Sequence, residues 1–244
     1  MQKKVIVTGG ASGIGKSIAE LFLNNEHQVI ILDINPDPIL DWGEKFKGLV
    51  NIFKTDVSNF SDLEKTFIQI KEIWEDFDIL INNAGISIRH GSFMEITPEL
   101  WQKVINVNLN SVFYVSKLGT RLIKDGGCIL NMSSINALAA FPHYADYNAS
   151  KAGIIALTKT MAVELSERKI RVNALCPGAV LTPMQEAEYS PEMIEQVNQN
   201  ILLRRHSSPE EISNFAYFLS SEQASFITGH YYLIDGGEMC RAIL

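Results

Sequence analysis

Short runs of β-branched and aliphatic residues alternate along the chain with longer stretches that carry apolar residues at helical spacing. KVIVTG, QVIILD, LVNIFKTD, DILINNAG, CILNMSS and RVNALCPG read as six buried strands. Between them ASGIGKSIAELFLNN, a segment from about Phe60, a long segment from near Pro98 and one holding Tyr147 read as helices. Strands that are continuously apolar need cover on both faces, so the alternation predicts an α/β fold with a parallel sheet between two helical layers. After Pro177 the pattern changes: AVLTPMQEAEYSPEMIEQVNQNILLRRHSS is polar, Met-rich and helical in tendency. It reads as a lid facing substrate, at about residues 182–207. A helix in PEEISNFAYFLSS, with Pro209 well placed at its start, and a last strand in HYYLIDGG complete a sheet of about seven strands.

One helix carries an oddity. Ile154, Thr158, Met161 and Leu165 form an inward stripe, and extending it backward by three and four residues reaches Lys151 and Tyr147. Lysine is rarely buried without a partner, because taking its charge out of water is expensive. Two readings are open: a first-turn pair that snorkels to water, or a pair held inside for its chemistry.

The composition, 46% hydrophobic and 20% charged over 244 residues, suits one globular domain spanning residues 1–244. A net charge of −7 disfavours nucleic acid, whose phosphates call for a basic face. The apolar run in MQKKVIVTGG is too short for a signal peptide and no stretch is long enough to span a bilayer, so the expectation is no membrane partner and a cytoplasmic protein. Cys128, Cys176 and Cys240 are odd in number and far apart, and His27, His90, His143, His206 and His230 show no paired ligand spacing. Neither a disulfide framework nor a metal is expected.

In parallel sheets of this kind ligands sit beyond the carboxyl ends of the strands. The unusual residues fall there: TGGASGIG, Asp33, Asp56, NNAG, SS and PG. VTGGASGIG follows the first strand and opens the first helix, where glycines let a pyrophosphate approach and free N–H groups meet it. Asp33 ends the second strand, twenty residues after Gly13, where a carboxylate accepts hydrogen bonds from an adenosine ribose and repels a 2′-phosphate. Ser12 and Ile34 flank it in place of Arg or Lys, which favours NAD over NADP; Lys16 is the one nearby group that could offset this.

Thr8, Gly9, Gly13, Ile14 and Gly15 match the T-G-x-x-x-G-I-G pattern of the short-chain dehydrogenase/reductase family, and NNAG at Asn82 to Gly85 and PG at Pro177 and Gly178 match two more of its motifs. The chain resembles that family over almost its whole length. The resemblance implies a Rossmann-type doubly wound fold, with pyrophosphate held from Gly9 to Gly15. It places Asp56 and Val57 at the adenine, Asn83, Ala84 and Gly85 at the ribose, and Val180 and Thr182 at the nicotinamide amide. Strand bridging by Asn82 and Asn83, and strand termination by Pro177, are the alternative uses of those residues.

Tyr147 and Lys151 then form the family's Y-x-x-x-K pair, on one helix face. A tyrosine titrates near pH 10, and bringing it to neutrality takes about 4 kcal/mol of preferential phenolate stabilisation. A nearby ammonium, helped by a positive nicotinamide ring, is the right kind of perturber. The resemblance also assigns Lys151 a hydrogen bond to the nicotinamide ribose, so that the lysine's partner is the cofactor. It implies that Ser134, thirteen residues before Tyr147, is the catalytic serine, with neighbouring Ser133 as competitor. Asn108, in NVNLNSVF, corresponds to the fourth member, placing a water behind Lys151; Asn106 and Asn110 lie close by.

The expected function is NAD-dependent hydride transfer between a secondary alcohol and its ketone, with Tyr147 as general acid and base. Ile86, Ile88, Ile135, Leu138, Phe141, His143, Met184 and Tyr189 are candidate pocket residues, and Arg89 and His90 are read as a solvated loop able to meet an anion. The family includes reductases of 3-oxoacyl groups on an acidic carrier protein. A chain of charge −7 suits such a partner only through a local basic patch, for which Arg168, Lys169 and Arg171 are candidates. A dinucleotide-binding regulator without turnover is the reading from a different class, and the resemblance favours a homotetramer.

Overall fold

The computed structural model describes residues 1–240. In chain order the elements are β1 (Lys4–Thr8), α1 (Gly13–Asn24), β2 (Gln28–Asp33), α2 (Trp42–Lys45), β3 (Val50–Lys54), α3 (Phe60–Ile73), β4 (Phe77–Asn82), α4 (Pro98–Ile105), α5 (Ser111–Gly119), β5 (Ile123–Met132), α6 (Ala145–Glu164), β6 (Arg171–Pro177), α7 (Pro183–Glu188), α8 (Pro191–Asn200), α9 (Pro209–Ser220) and β7 (Tyr231–Ile234). The apolar tail expected to pack inside the domain or across a subunit contact ends at residues 241–244, outside the described residues.

Seven parallel strands form one sheet in the order β3-β2-β1-β4-β5-β6-β7. The order reverses between β1 and β4, and the connections diverge there to open a crevice at the carboxyl ends. Helices cover both faces, and each face has its own core. On one side Ile18, Phe22 and Leu23 of α1 meet Ile212, Ala216 and Leu219 of α9 over Val5, Val7 and Ile31. On the other, Leu63, Phe67 and Ile70 of α3 and Val115 of α5 pack on Ile6, Leu80 and Ile129. Burial of such side chains, at about 25 cal/mol per Å², supplies the driving force that fixes the strand ends.

Two features differ from the sequence-based expectation, and the segment after Pro177 takes a form it left open. β3 is half-buried, with no fully buried residue, because it is an edge strand paired only with β2. The long helix from Pro98 is interrupted at Asn106–Asn110 by a single π turn, which inserts Asn108 into the interior. The lid is two short helices, α7 and α8, each begun by a proline after a Thr or Ser cap, and neither buries a residue completely. Among the described residues no helix is long and apolar enough to cross a membrane.

Candidate active site

A cleft of about 530 Å³ lies over the β1/β4 crossover. Its floor comes from the strand ends and its roof from the start of the lid. Of the residues expected at the site, Gly9, Ser12, Gly13, Ile14, Asp33, Asp56, Val57, Asn83, Ala84, Gly85, Ser134, Tyr147, Lys151, Pro177, Gly178, Val180 and Thr182 all line it. Gly15 and Asn108 do not.

The turn after β1 explains the glycines. Gly9 has φ +63°, and a Cβ there would sit 2.8 Å from the Ala84 Cα. Gly15 lies beneath the turn, where a Cβ would stand 2.1 Å from the Gly9 carbonyl oxygen, so it permits packing rather than meeting a ligand. The Thr8 hydroxyl accepts from the Asn83 and Ala84 N–H groups at 3.0 and 3.1 Å. Asn83 Nδ2 donates to the carbonyls of Thr8 and Gly9 at 3.1 and 3.0 Å, locking NNAG to the turn. Asn82 bridges strands: its Nδ2 donates to Ser116 and to Asn131 of β5. Gly178 borders the cleft while its Cα packs on β7's end, where a Cβ would come within 2.9 Å of Asp235.

Asp33 is fixed from both sides, accepting from the Ala11 N–H and the Asn35 N–H at 2.9 Å each. Ile34, Asn35 and Pro38 join it at the cleft wall. Lys16 lies over the Trp42 ring at 5.8 Å and does not line the cleft. Asp56 accepts from the Ser58 N–H and hydroxyl, while its own N–H donates to Asp62, holding the loop that carries Val57. An elongated cleft with glycine backbone at its middle and a rigid carboxylate at one end fits a dinucleotide.

At the other end, the stripe on α6 is buried as far as Lys151, which is 3% exposed. The lysine does not snorkel, nor does it depend on a ligand for a partner: Nζ donates to the Met132 carbonyl at 2.8 Å. Burial lowers its pKa to about 8, with Cys176 opposing weakly. Nζ stands 5.4 Å from the centre of the Tyr147 ring. The expected lowering of Tyr147 is not supplied by the chain itself. Burial raises the phenol to about 12, a hydrogen bond with Ser134 works against this, and the charge of Glu188 adds to it. Desolvation of the phenolate outweighs a lysine that burial also disfavours in its charged form.

Both adjacent serines border the cleft, and their hydroxyls serve different partners. Ser133 donates to the Lys151 carbonyl at 2.8 Å and is tied to β6 through its N–H, so it braces β5 against α6. Ser134 faces the cleft beside Tyr147, with its hydroxyl accepting from the Asn136 N–H. Asn108 has both amide N–H groups committed: its Nδ2 donates to the Ile86 carbonyl and to Ser150, and its Oδ1 accepts from the Ile86 N–H. It clamps the segment after NNAG to α6, which is the return for placing an asparagine within a helix.

Among the candidate pocket residues, Ile86 and Met184 line the cleft. Ile135 is buried in the core, and Ile88, Leu138, Phe141, His143 and Tyr189 lie outside the lining. Arg89 is exposed, but His90 is not a solvated loop residue: it is buried, with Nε2 2.9 Å from the wholly buried Asp146. Asp146 also accepts from the Tyr147 N–H, so the pair braces the first turn of α6. Sequence reasoning missed this pair, and missed Tyr144, whose ring stands 6.4 Å from that of Tyr147, and Glu188, which accepts from the Tyr144 hydroxyl. Among the described residues no three His, Cys, Asp or Glu side chains are grouped to hold a metal.

Comparison with known proteins agrees with this geometry. A family model described as enoyl-(acyl carrier protein) reductase matches residues 9–238. The chain is 38% identical to a 3-oxoacyl-[acyl-carrier-protein] reductase of Thermotoga maritima over 96% of this chain and 97% of that one. It is 34% identical to an NAD-dependent glycerol dehydrogenase of Listeria innocua, over 96% and 93%. A solved 4-hydroxyisoleucine dehydrogenase complexed with NADH superposes with a TM-score of 0.91 at 35% identity, covering 99% of this chain and 100% of that one. With a seven-stranded parallel sheet, a glycine turn at its crossover and these matches along its length, the chain belongs to the short-chain dehydrogenase/reductase family of oxidoreductases.

Proposed function

We propose that the protein is an NAD-dependent oxidoreductase that interconverts a secondary alcohol and its ketone, with Tyr147 as the proton-transferring group. The observation that carries the reading is the placement of Tyr147, Lys151 and Ser134 at one end of a cleft whose other end presents Asp33. A nicotinamide dinucleotide bound along the cleft supplies the hydride acceptor in oxidation and the donor in reduction. Asp33, pinned by two backbone N–H groups, is oriented to accept from ribose hydroxyls and to repel a phosphate in their place. Gly9, Gly13 and Ser12 present backbone to the pyrophosphate. In oxidation Tyr147 takes the hydroxyl proton of the substrate, and in reduction it returns it. Ser134 donates to the reacting oxygen as charge builds on it. Lys151 keeps positive charge behind the phenol at neutral pH, and Asn108 positions the segment that walls off this end.

The dehydrogenases for glycerol and 4-hydroxyisoleucine among the similar proteins support an alcohol substrate. The similarity to a 3-oxoacyl-[acyl-carrier-protein] reductase supports a second reading, reduction of a carrier-bound acyl group. Against it, Arg168 is committed to Asp125 and to the Thr120 and Ile123 carbonyls, and Arg171 to those of Ile227 and Ser221. These side chains also lie at the amino end of β6, opposite the cleft, so they form no dock for an acidic carrier at its mouth. The family resemblance favours a homotetramer, which light scattering tests, and a cytoplasmic location.

The test titrates purified protein with NAD and with NADP by intrinsic fluorescence, then follows reduced nicotinamide absorbance with a panel of secondary alcohols. Tighter binding of NAD, and turnover that drops about 10²- to 10⁴-fold in Tyr147→Phe with NAD binding retained, is the expected result. Preference for NADP sinks the Asp33 assignment, and NAD binding without turnover moves the protein to the regulator class. Because the phenolate is the reactive form in oxidation, kcat/KM for the alcohol should climb with pH toward 8. The slope should break there as Lys151, lowered to about 8, gives up its charge.

A further inference from the structure

The cleft is lined by a cation that the fold itself does not use. Lys103 of α4 borders it together with Val107, four residues on. The same two side chains line a neighbouring groove with Ser58, Pro98 and Glu99, which places Lys103 at the end of the cleft formed by the loop of Asp56 and Val57. Lys103 is exposed, and it makes no ion pair or hydrogen bond with any described residue. Its ordinary partner would be Glu99, four residues earlier on the helix, since an acid followed by a lysine at that spacing is the favourable order. Glu99 is engaged elsewhere. Its carboxylate turns back to its own N–H and to the Thr97 hydroxyl at the start of α4, which hold it below the usual carboxylate range.

The other charges around the cleft show what a free ammonium could meet there. Asp33, Asp56, Lys103 and Lys151 are the lysine and acidic side chains among its lining residues. Lys151 is buried at the tyrosine end on the Met132 carbonyl. Asp33 and Asp56 stand at the opposite end, and the turn from Gly9 to Gly15 offers N–H groups without a cation. Lys16, next in sequence, lies over the Trp42 ring and outside the lining. Without Lys103, a dinucleotide would bring its diphosphate into an end of the cleft that carries two carboxylates, on a chain of charge −7.

We propose that Lys103 is a cofactor-binding residue whose ammonium attracts the diphosphate of the dinucleotide, acting by its charge and not by contact with the base. This rests on the dinucleotide reading above and adds a residue to it. Because the side chain is exposed, its attraction is strong only at low ionic strength and is screened away in salt.

The experiment follows NADH fluorescence on titration with wild type, Lys103→Gln, Lys103→Glu and Lys103→Arg, at about 20 mM and about 0.5 M salt, with AMP and adenosine as competitors. At low salt Lys103→Gln should bind NADH about three- to fivefold more weakly, the upper range for an exposed ion pair, and Lys103→Glu about tenfold or more, with arginine close to wild type. At high salt the four should agree within about twofold. AMP should lose affinity in step with NADH, whereas adenosine, which has the base and no phosphate, should keep it. Equal NADH affinity in wild type and Lys103→Glu at low salt overturns the inference. So does a loss that persists at high salt, a loss in arginine equal to that in glutamine, or one that adenosine shares. Each of these leaves the dinucleotide reading intact. Wild type that binds neither NADH nor AMP overturns that reading instead.

Discussion

At the glycine-turn end of the cleft, Asp33 accepts from two N–H groups, Thr8 receives Asn83 and Ala84, and Asn83 closes the turn. At the tyrosine end, burial drives Tyr147 up to about 12 and Lys151 down to about 8, and Glu188 Oε1 has no donor. The first region is tied by many short hydrogen bonds, with Asn82 Oδ1 left over; the second holds Lys151 out of water on a single carbonyl and sets Tyr147 half-buried at the cleft. Binding calls for a shape that does not change, and catalysis for groups whose protonation is easily exchanged. One end therefore favours stability and the other disfavours it, and the contrast can be broken by substitution.

The largest effect is expected from Gly15→Ala. A methyl there would meet the Gly9 carbonyl oxygen at 2.1 Å and Asn83 Nδ2 at 2.4 Å, and backbone cannot swing aside as a flexible side chain can. The scaffold has to open, at about 3 kcal/mol or more. Denaturant unfolding should show that loss, and the NAD affinity of the remaining folded protein should fall with it. Wild-type stability in this variant would mean that the turn is softer than its hydrogen bonds imply.

The opposite sign is expected at the other end. With a folded pKa of about 8 against an ordinary 10.5, Lys151 binds its proton less readily in the native chain than in the unfolded one. The destabilisation is full below pH 8, shrinks as pH rises from 8 toward 10.5, and vanishes above that. Lys151→Met removes it, less about 1 kcal/mol for the lost bond to the Met132 carbonyl, a net gain of about 2 kcal/mol at pH 7 and less at pH 9. Turnover should disappear. A variant less stable than wild type at pH 7 would show that the Met132 bond outweighs desolvation.

How far each end could be read from sequence follows from the same physics. Buried parallel strands are apolar along their whole length, so β1, β2, β4, β5 and β6 announced themselves, and the strand-end rule then placed Asp33, NNAG and Ser134 in one crevice. The glycine turn was legible because only glycine tolerates its conformation. The π turn was not, since NVNLN has no periodicity that differs from a helix. Nor was the His90–Asp146 pair, whose members are 56 residues apart and whose burial depends on the packing of α6. Glu188 was hidden for a third reason: α7 buries nothing completely, so its pattern has no phase from which an inward face can be read.

The smallest effects come from Ser133 and Ser134, and they test the contrast at neighbouring positions. Ser133 belongs to the scaffold, its hydroxyl serving the Lys151 carbonyl, so Ser133→Ala should lower stability by about 1 kcal/mol with turnover retained. Ser134 belongs to the reactive end. Its hydroxyl bonds the Tyr147 phenol and also caps the turn Ile135–Ala137 by accepting from the Asn136 N–H, so Ser134→Ala should cost about 1 kcal/mol of stability as well. The same change withdraws the hydrogen bond that now eases ionisation of Tyr147, and with it the donor to the reacting oxygen. Its kcat should therefore fall, and the rising limb of the pH profile for oxidation should move to higher pH. Turnover retained in Ser134→Ala, or lost in Ser133→Ala, or an unmoved pH profile in Ser134→Ala, would mean that the boundary between scaffold and reactive end does not pass between these two residues.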